Sequence, residues 1–298
     1  MARGGCLRPE ASSPAAGLGC SVTEAAAPGE ARAAMPWDAA AYERAGEAQF
    51  RWALEVLEWR AWRGDERVLD AGCGPGRVSE SRLGRVPRGH VTAVDRDADM
   101  VAKATARLAP YGERARVVQA DLERLPDGLG PVDVVVSTAV LHWVPDLAAA
   151  FRGFRRVLRP GGDLLAQWGG AGNIADLEGV LDRLVASPPF APRFEGWRPP
   201  WHFATPAEAA GLLRGAGFES VDVALERKPT PFPDRASFLA FCAAAPLRPH
   251  LGRMPPEQGA AFVAALGDVW QGEGRAWALD YVRLNARAKR SKTDPNNP

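Results

Sequence analysis

Hydrophobic and polar positions along the chain settle into a two-part rhythm near residue 37. From Trp37 to Trp62, Tyr42, Phe50, Ala53, Leu54, Leu57 and Trp62 recur at three-to-four spacing, which predicts a helix with one buried face. Short β-rich runs then alternate with helical stretches. The runs are RVLDAG (67–72), HVTAVD (90–95), ARVVQAD (115–121), VDVVVSTA (132–139) and GGDLLAQW (161–168). Helices are predicted between them over about 78–85, 97–108 and 147–158. Strand and helix alternating in this way imply a parallel sheet with helices on both faces.

After Trp168 the rhythm changes. A helix over 175–186 runs into PPFAPRFEGWRPPWHFATP, and a helix over 206–216 starts at Thr205–Pro206 and stops at Gly217. The strand FESVDVALER follows, then helices over 234–245 and 256–271 and a last apolar stretch, WALDYVRLNAR. These late segments, about 172–205 and 230–272, read as a lid over the sheet. Residues 1–34 are rich in Ala, Gly, Pro and Ser and lack periodicity, so they are expected to be a disordered tail. Met35 precedes the first patterned segment, and translation starting at Met1 or at Met35 fits equally well. The expected domain is 35–288, with a second tail over 289–298 that carries Lys289, Arg290 and Lys292.

Composition narrows the function classes. Lys and Arg number 37 against 36 Asp and Glu, a net charge of +1, which gives no electrostatic reason to expect a nucleic-acid or acidic-membrane partner. Cys6, Cys20, Cys73 and Cys242 form no CxxC pair and no zinc spacing, so no metal is expected. With no apolar run long enough to span a bilayer and no signal-peptide core, a reduced, cytoplasmic protein is expected, as a monomer or weak homodimer.

The chemistry gathers at VLDAGCGPGRVSE (68–80), where a strand breaks into Gly72, Gly74 and Gly76 before a helix. Loop N–H groups and a helix N-terminus there suit a ligand carrying a carboxylate or phosphate. A dinucleotide loop would need glycine at position 77, where Arg77 stands. Asp70 is positioned to accept from an amino group, as a bound amino acid would offer.

DAGCGPG resembles motif I of the class I S-adenosylmethionine-dependent methyltransferases, and the later elements follow in the family's order. The resemblance implies a Rossmann-like seven-stranded sheet of order 3-2-1-4-5-7-6 with its last strand antiparallel, and S-adenosylmethionine as cofactor. It implies that Asp95 holds the ribose hydroxyls, that Asp121 and Leu122 meet the adenine, and that Met100 lines its edge or serves as core. Cys73 is expected to act through its backbone; Arg96 and Ser137 are placed around the same cofactor. STAVLHWVPD is similar to motif IV and RVLRPGG to the turn before strand five. Trp37, Tyr42, Gln49, His142 and Trp143 resemble residues of the trans-aconitate and juvenile hormone acid carboxyl methyltransferases. There Tyr42 would close over the methionine end, and Gln49 and Trp143 would approach an acid substrate.

A carboxylate acceptor is ionised at neutral pH and needs no base, whereas a phenol, amine or carbon would need one, and His142 is the motif residue suited to that role. Three readings remain open. They are a small-molecule methyltransferase acting on a carboxylic acid oxygen, a methyltransferase on a carrier-bound acyl chain or protein, and a non-catalytic relative. STAVLHW lacks the NPPY-type motif that suits base amino groups. The aromatics of 190–203 are expected to wall the acceptor, with Arg193, Arg198, Arg248, His250 and Arg253 as further polar candidates.

Overall fold

In the computed structural model, which describes residues 46–292, seven strands form one mixed sheet. In chain order the elements are α1 (Glu47–Leu57), β1 (Arg67–Ala71), α2 (Arg77–Arg85), β2 (His90–Asp95), α3 (Ala98–Leu108), β3 (Ala115–Gln119), β4 (Val132–Thr138), α4 (Leu147–Val157) and β5 (Leu158–Gly169). Then come α5 (Ala175–Val185), α6 (Pro206–Gly215), β6 (Phe218–Arg227), α7 (Arg235–Ala244), α8 (Arg248–Leu251) and α9 (Pro256–Gly272). A two-residue pair, β7 (Thr230–Pro231) with β8 (Ala278–Leu279), precedes β9 (Val282–Arg290). The sheet order is β3-β2-β1-β4-β5-β9-β6, with β9 antiparallel to both neighbours. This is the expected order, β9 taking the place of strand seven because the short pair intervenes.

Alternate residues of each central strand enter different cores. Leu69, Val135, Leu164 and Ala166 pack with Phe151 and Phe154 of α4 and Leu213 of α6. Val68, Val134, Val136 and Leu165 pack instead with Val56 of α1, Leu83 of α2 and Ala104 of α3. A third cluster is built from the late helices: Leu177 and Leu181 of α5, Phe238 and Phe241 of α7, and Phe262 and Trp270 of α9.

Two expectations change here. The C-terminal tail does not begin at 289, because Lys289 and Arg290 lie in β9. Arg290 is buried and donates to the carbonyls of Arg155 and Leu158 at the end of α4, where a cation meets the helix dipole and its unpaired acceptors. Asp70 does not present its carboxylate to a ligand. It is buried, accepting from the Ser79 hydroxyl and ion-paired with the buried Arg82, so it fastens α2 beneath β1.

Breaking a buried pair leaves a charge uncompensated. Arg82→Met is therefore expected to lower stability by about 3–5 kcal/mol in urea denaturation. A loss near zero would show that the pair does not secure α2.

Candidate active site

Gly72, Gly74 and Gly76 all have positive φ, +80°, +53° and +82°. At two of them the protein itself forbids a side chain. A Cβ on Gly72 would lie 2.5 Å from the Val140 side chain, and one on Gly76 would lie 3.0 Å from the Ala104 backbone. Gly74 differs, since a Cβ there would meet nothing within 4 Å. The loop's N–H groups point inward more than expected. Those of Gly72 and Cys73 donate to the Val94 carbonyl at 2.8 and 2.9 Å, and that of Gly76 to Cys73 at 3.1 Å. An anion cradle built from these donors is thus not what the loop offers.

The loop instead presents Asp95. Its two oxygens accept from the N–H groups of Gly74 at 2.8 Å and Asp97 at 3.0 Å, leaving each oxygen a lone pair for a hydroxyl. Burial raises its pKa, while the two N–H bonds oppose the rise. Asp121 lies just beyond β3 and accepts from Glu123 N–H at 3.0 Å. Met100 and Leu122 are buried apolar walls, and Arg96 is exposed. An open slot beside Gly74, a carboxylate with spare acceptor capacity and apolar neighbours fit a nucleoside-bearing cofactor. Ser137 is wholly buried and donates to the Ala71 carbonyl at 2.8 Å, so its hydroxyl joins β4 to β1 and not to a ligand. Burial pushes the Cys73 thiol well above its usual range, which keeps it neutral and leaves its backbone as the working part. Trp37 and Tyr42 lie outside the described residues.

Beyond β4 the chain turns at Ala139, whose φ of +59° is unusual without glycine, and delivers His142 and Trp143 in a short 3-10 turn. His142 Nδ1 accepts from the Gly169 N–H at 3.3 Å. Burial and the Arg283 charge hold its pKa well below the usual value, so the ring is neutral with its proton on Nε2. The lone pair a base would use is therefore engaged. The His142 ring lies 5.2 Å from Trp143 and 5.8 Å from Phe203. Trp143 meets Trp201 edge-on at 5.6 Å, and Trp201 is fixed by its indole N–H donating to Glu178 at 2.7 Å. Gly169 admits this wall, because a Cβ there would lie 2.7 Å from the Phe203 ring.

Gln49 of α1 donates to the Tyr281 hydroxyl at 3.1 Å, and its buried Oε1 has no hydrogen-bond partner. Tyr281 packs on Trp52 at 5.1 Å. Arg283, 2% exposed and paired with Gly169 across β5–β9, lies over the Trp52 ring at 5.4 Å. A guanidinium does not lose its proton, so Arg283 is a buried cation of this corner.

The methyltransferase-domain family matches residues 68–162. A trans-aconitate 2-methyltransferase of Methylobacterium nodulans is 30% identical over 265 residues, covering 86% of this chain and 99% of that protein. The chain belongs to the class I S-adenosylmethionine-dependent methyltransferases. A malonyl-[acyl-carrier protein] O-methyltransferase of Geobacter sulfurreducens is 33% identical over 203 residues, covering 67% of this chain and 74% of that protein. The solved structure of Haemonchus contortus phosphoethanolamine N-methyltransferase 2 with S-adenosyl-L-methionine superposes at a TM-score of 0.55 and 17% identity, covering 85% of this chain and 56% of that one. That likeness is one of fold.

The methyltransferase is thus an enzyme that uses S-adenosylmethionine. Among its described residues no helix is long and apolar enough to cross a membrane, and no cluster of ligating side chains suits a metal. Sequence reasoning missed Trp52, Glu178, Tyr281 and Arg283. Arg283 alternates with Leu284, in phase with Arg287 and Lys289, so the pattern assigns it to a polar face. Its burial follows from α1 lying across that face, a contact that strand periodicity alone does not reveal.

Asp95→Ala is expected to weaken S-adenosylmethionine binding by about 1–3 kcal/mol in calorimetry. Because burial raises the Asp95 pKa, wild-type affinity should hold at neutral pH and fall as acid protonates the carboxylate, while the variant lacks that limb. Unchanged affinity in the variant would remove Asp95 from the cofactor site.

Proposed function

We propose that the methyltransferase acts on a small carboxylic acid and transfers the methyl to a carboxylate oxygen. The observation that supports this reading is His142, held neutral by burial and accepting at Nδ1 from the Gly169 N–H, which leaves no base beside the acceptor. S-adenosylmethionine supplies an electrophilic methyl on a sulfonium. Gln49 of α1, whose buried Oε1 has no hydrogen-bond partner, supplies a polar group toward the acid. His142 donates through Nε2 and abstracts no proton, which suits a nucleophile already ionised. Trp143, Trp201 and Phe203 exclude water and fix the line of approach, the main contribution a protein makes to such a displacement.

The names of the two relatives are consistent with an acid acceptor. The malonyl relative favours a second reading, in which the acid belongs to an acyl chain on a carrier protein. Free acids methylated at rates comparable to carrier-bound ones would decide for the first.

Trp143→Ala should lower turnover about a hundredfold, the scale of loss when a reactant is misplaced, with cofactor affinity nearly intact. Lost cofactor binding with normal turnover at saturating cofactor would place Trp143 elsewhere. The pH dependence is a separate check. kcat/KM with an acid substrate should be flat from about pH 6 to 8, since the acceptor ionises near pH 4 to 5 and His142 stays neutral. A limb near pH 6.5 that vanishes in His142→Gln would restore the base role and argue against a carboxylate acceptor.

A further inference from the structure

Residues 197–205 lie in no helix or strand, yet three of them in succession are set against the turn that follows β4. Trp201 meets Trp143 edge-on at 5.6 Å, with the ring planes 86° apart. The His202 N–H donates to the His142 carbonyl at 2.8 Å. Phe203 lies 5.8 Å from the His142 ring and stacks on Trp201 at 6.2 Å, which closes a circuit of four rings around the motif. Backbone outside regular elements has no ladder of its own to hold side chains in register, so bonds to rigid neighbours decide where they stand.

For Trp201 that neighbour is Glu178 of α5. The indole has one polar atom, Nε1–H, and it donates to the Glu178 carboxylate at 2.7 Å. A bond to an ionised acceptor is short, directional and roughly twice as strong as a neutral one, whereas an edge-on ring pair tolerates a range of angles. The carboxylate therefore decides which way the indole turns. Burial raises the Glu178 pKa, the Trp201 N–H opposes the rise, and Asp182 and Asp280 add to it. The helix itself is placed by other contacts: Leu177, Val180 and Leu181 are buried in the third cluster, and Asp176 pairs with Arg275 at 2.6 Å. What Glu178 adds is the hold on Trp201.

We propose that Glu178 is a positioning residue for methyl transfer: through its bond to the Trp201 indole it sets the edge-on contact that holds Trp143 at the acceptor. It acts through Trp201, without touching the reacting atoms. The inference rests on the placement of Trp143 at the acceptor in the reading above, and not on which atom of the acceptor is methylated. Displacement at a methyl group is sensitive to the line of approach, so a small turn of Trp143 is felt in turnover before it is felt in cofactor binding.

The test uses the full-length protein labelled with 5-fluorotryptophan and bound to S-adenosylhomocysteine, with the Trp143 and Trp201 fluorine resonances assigned from Trp143→Phe and Trp201→Phe. Glu178→Leu should move both resonances. Glu178→Gln, which keeps a carbonyl oxygen for the indole, should leave both in place. Turnover is then measured at saturating S-adenosylmethionine with trans-aconitate, octanoate and 4-phenylbutanoate. Glu178→Leu should lower kcat about tenfold, part of the hundredfold that a misplaced reactant can cost, with cofactor affinity unchanged and Glu178→Gln near the wild type. Glu178→Ala makes the same comparisons should leucine impair folding. Unmoved resonances without the carboxylate, an unchanged kcat, or a loss that Glu178→Gln shares in full overturns the inference. Trp143→Ala separates the two ideas: normal turnover there defeats the placement of Trp143, whereas a loss there with none in Glu178→Leu defeats the role of Glu178 alone. If none of the three acids gives product, the carboxylate reading fails and the resonances still decide whether Glu178 holds Trp143.

Discussion

Both halves of the active site depend on how β1 ends. The Val94 carbonyl of β2 accepts the N–H groups of Gly72 and Cys73 together, so the chain leaves the sheet by folding over its neighbour. That turn needs positive φ, and it brings the loop within reach of Asp95, whose carboxylate then accepts from Gly74. Because Asp70, Ser79 and Arg82 clamp the following helix from below, the loop has little room to relax. Val140, packed over Gly72, passes the same constraint to the turn that delivers His142 and Trp143.

The sheet was legible in the sequence because parallel strands covered on both faces leave a strong alternation of apolar runs and amphipathic helices. The site was less so, for reasons that differ by residue. The strand-end position of Asp95 and the turn at the glycines could be read because both are local: a strand end, a turn, a required backbone angle. Asp70 and Ser137 belong to the same motifs, yet their partners are Arg82 on the next helix and the Ala71 carbonyl across a parallel pair, and only assembly shows that these satisfy them. Arg283 and Arg290 were hidden more deeply, since charged residues in a strand are ordinarily surface residues until another element lies across them.

Electrostatics divides the crevice. The Asp95 carboxylate is held under the glycine loop, and the Arg283 guanidinium is held under α1. His142 stands near the second and stays neutral partly because of it.

The apolar cluster of the late helices is separate from the two cores that hold the sheet. The family model's match, residues 68–162, ends before these late segments begin, while the likeness to the Methylobacterium nodulans relative extends over 86% of the chain. A change of packing within that third cluster therefore need not disturb the two cores that hold the sheet.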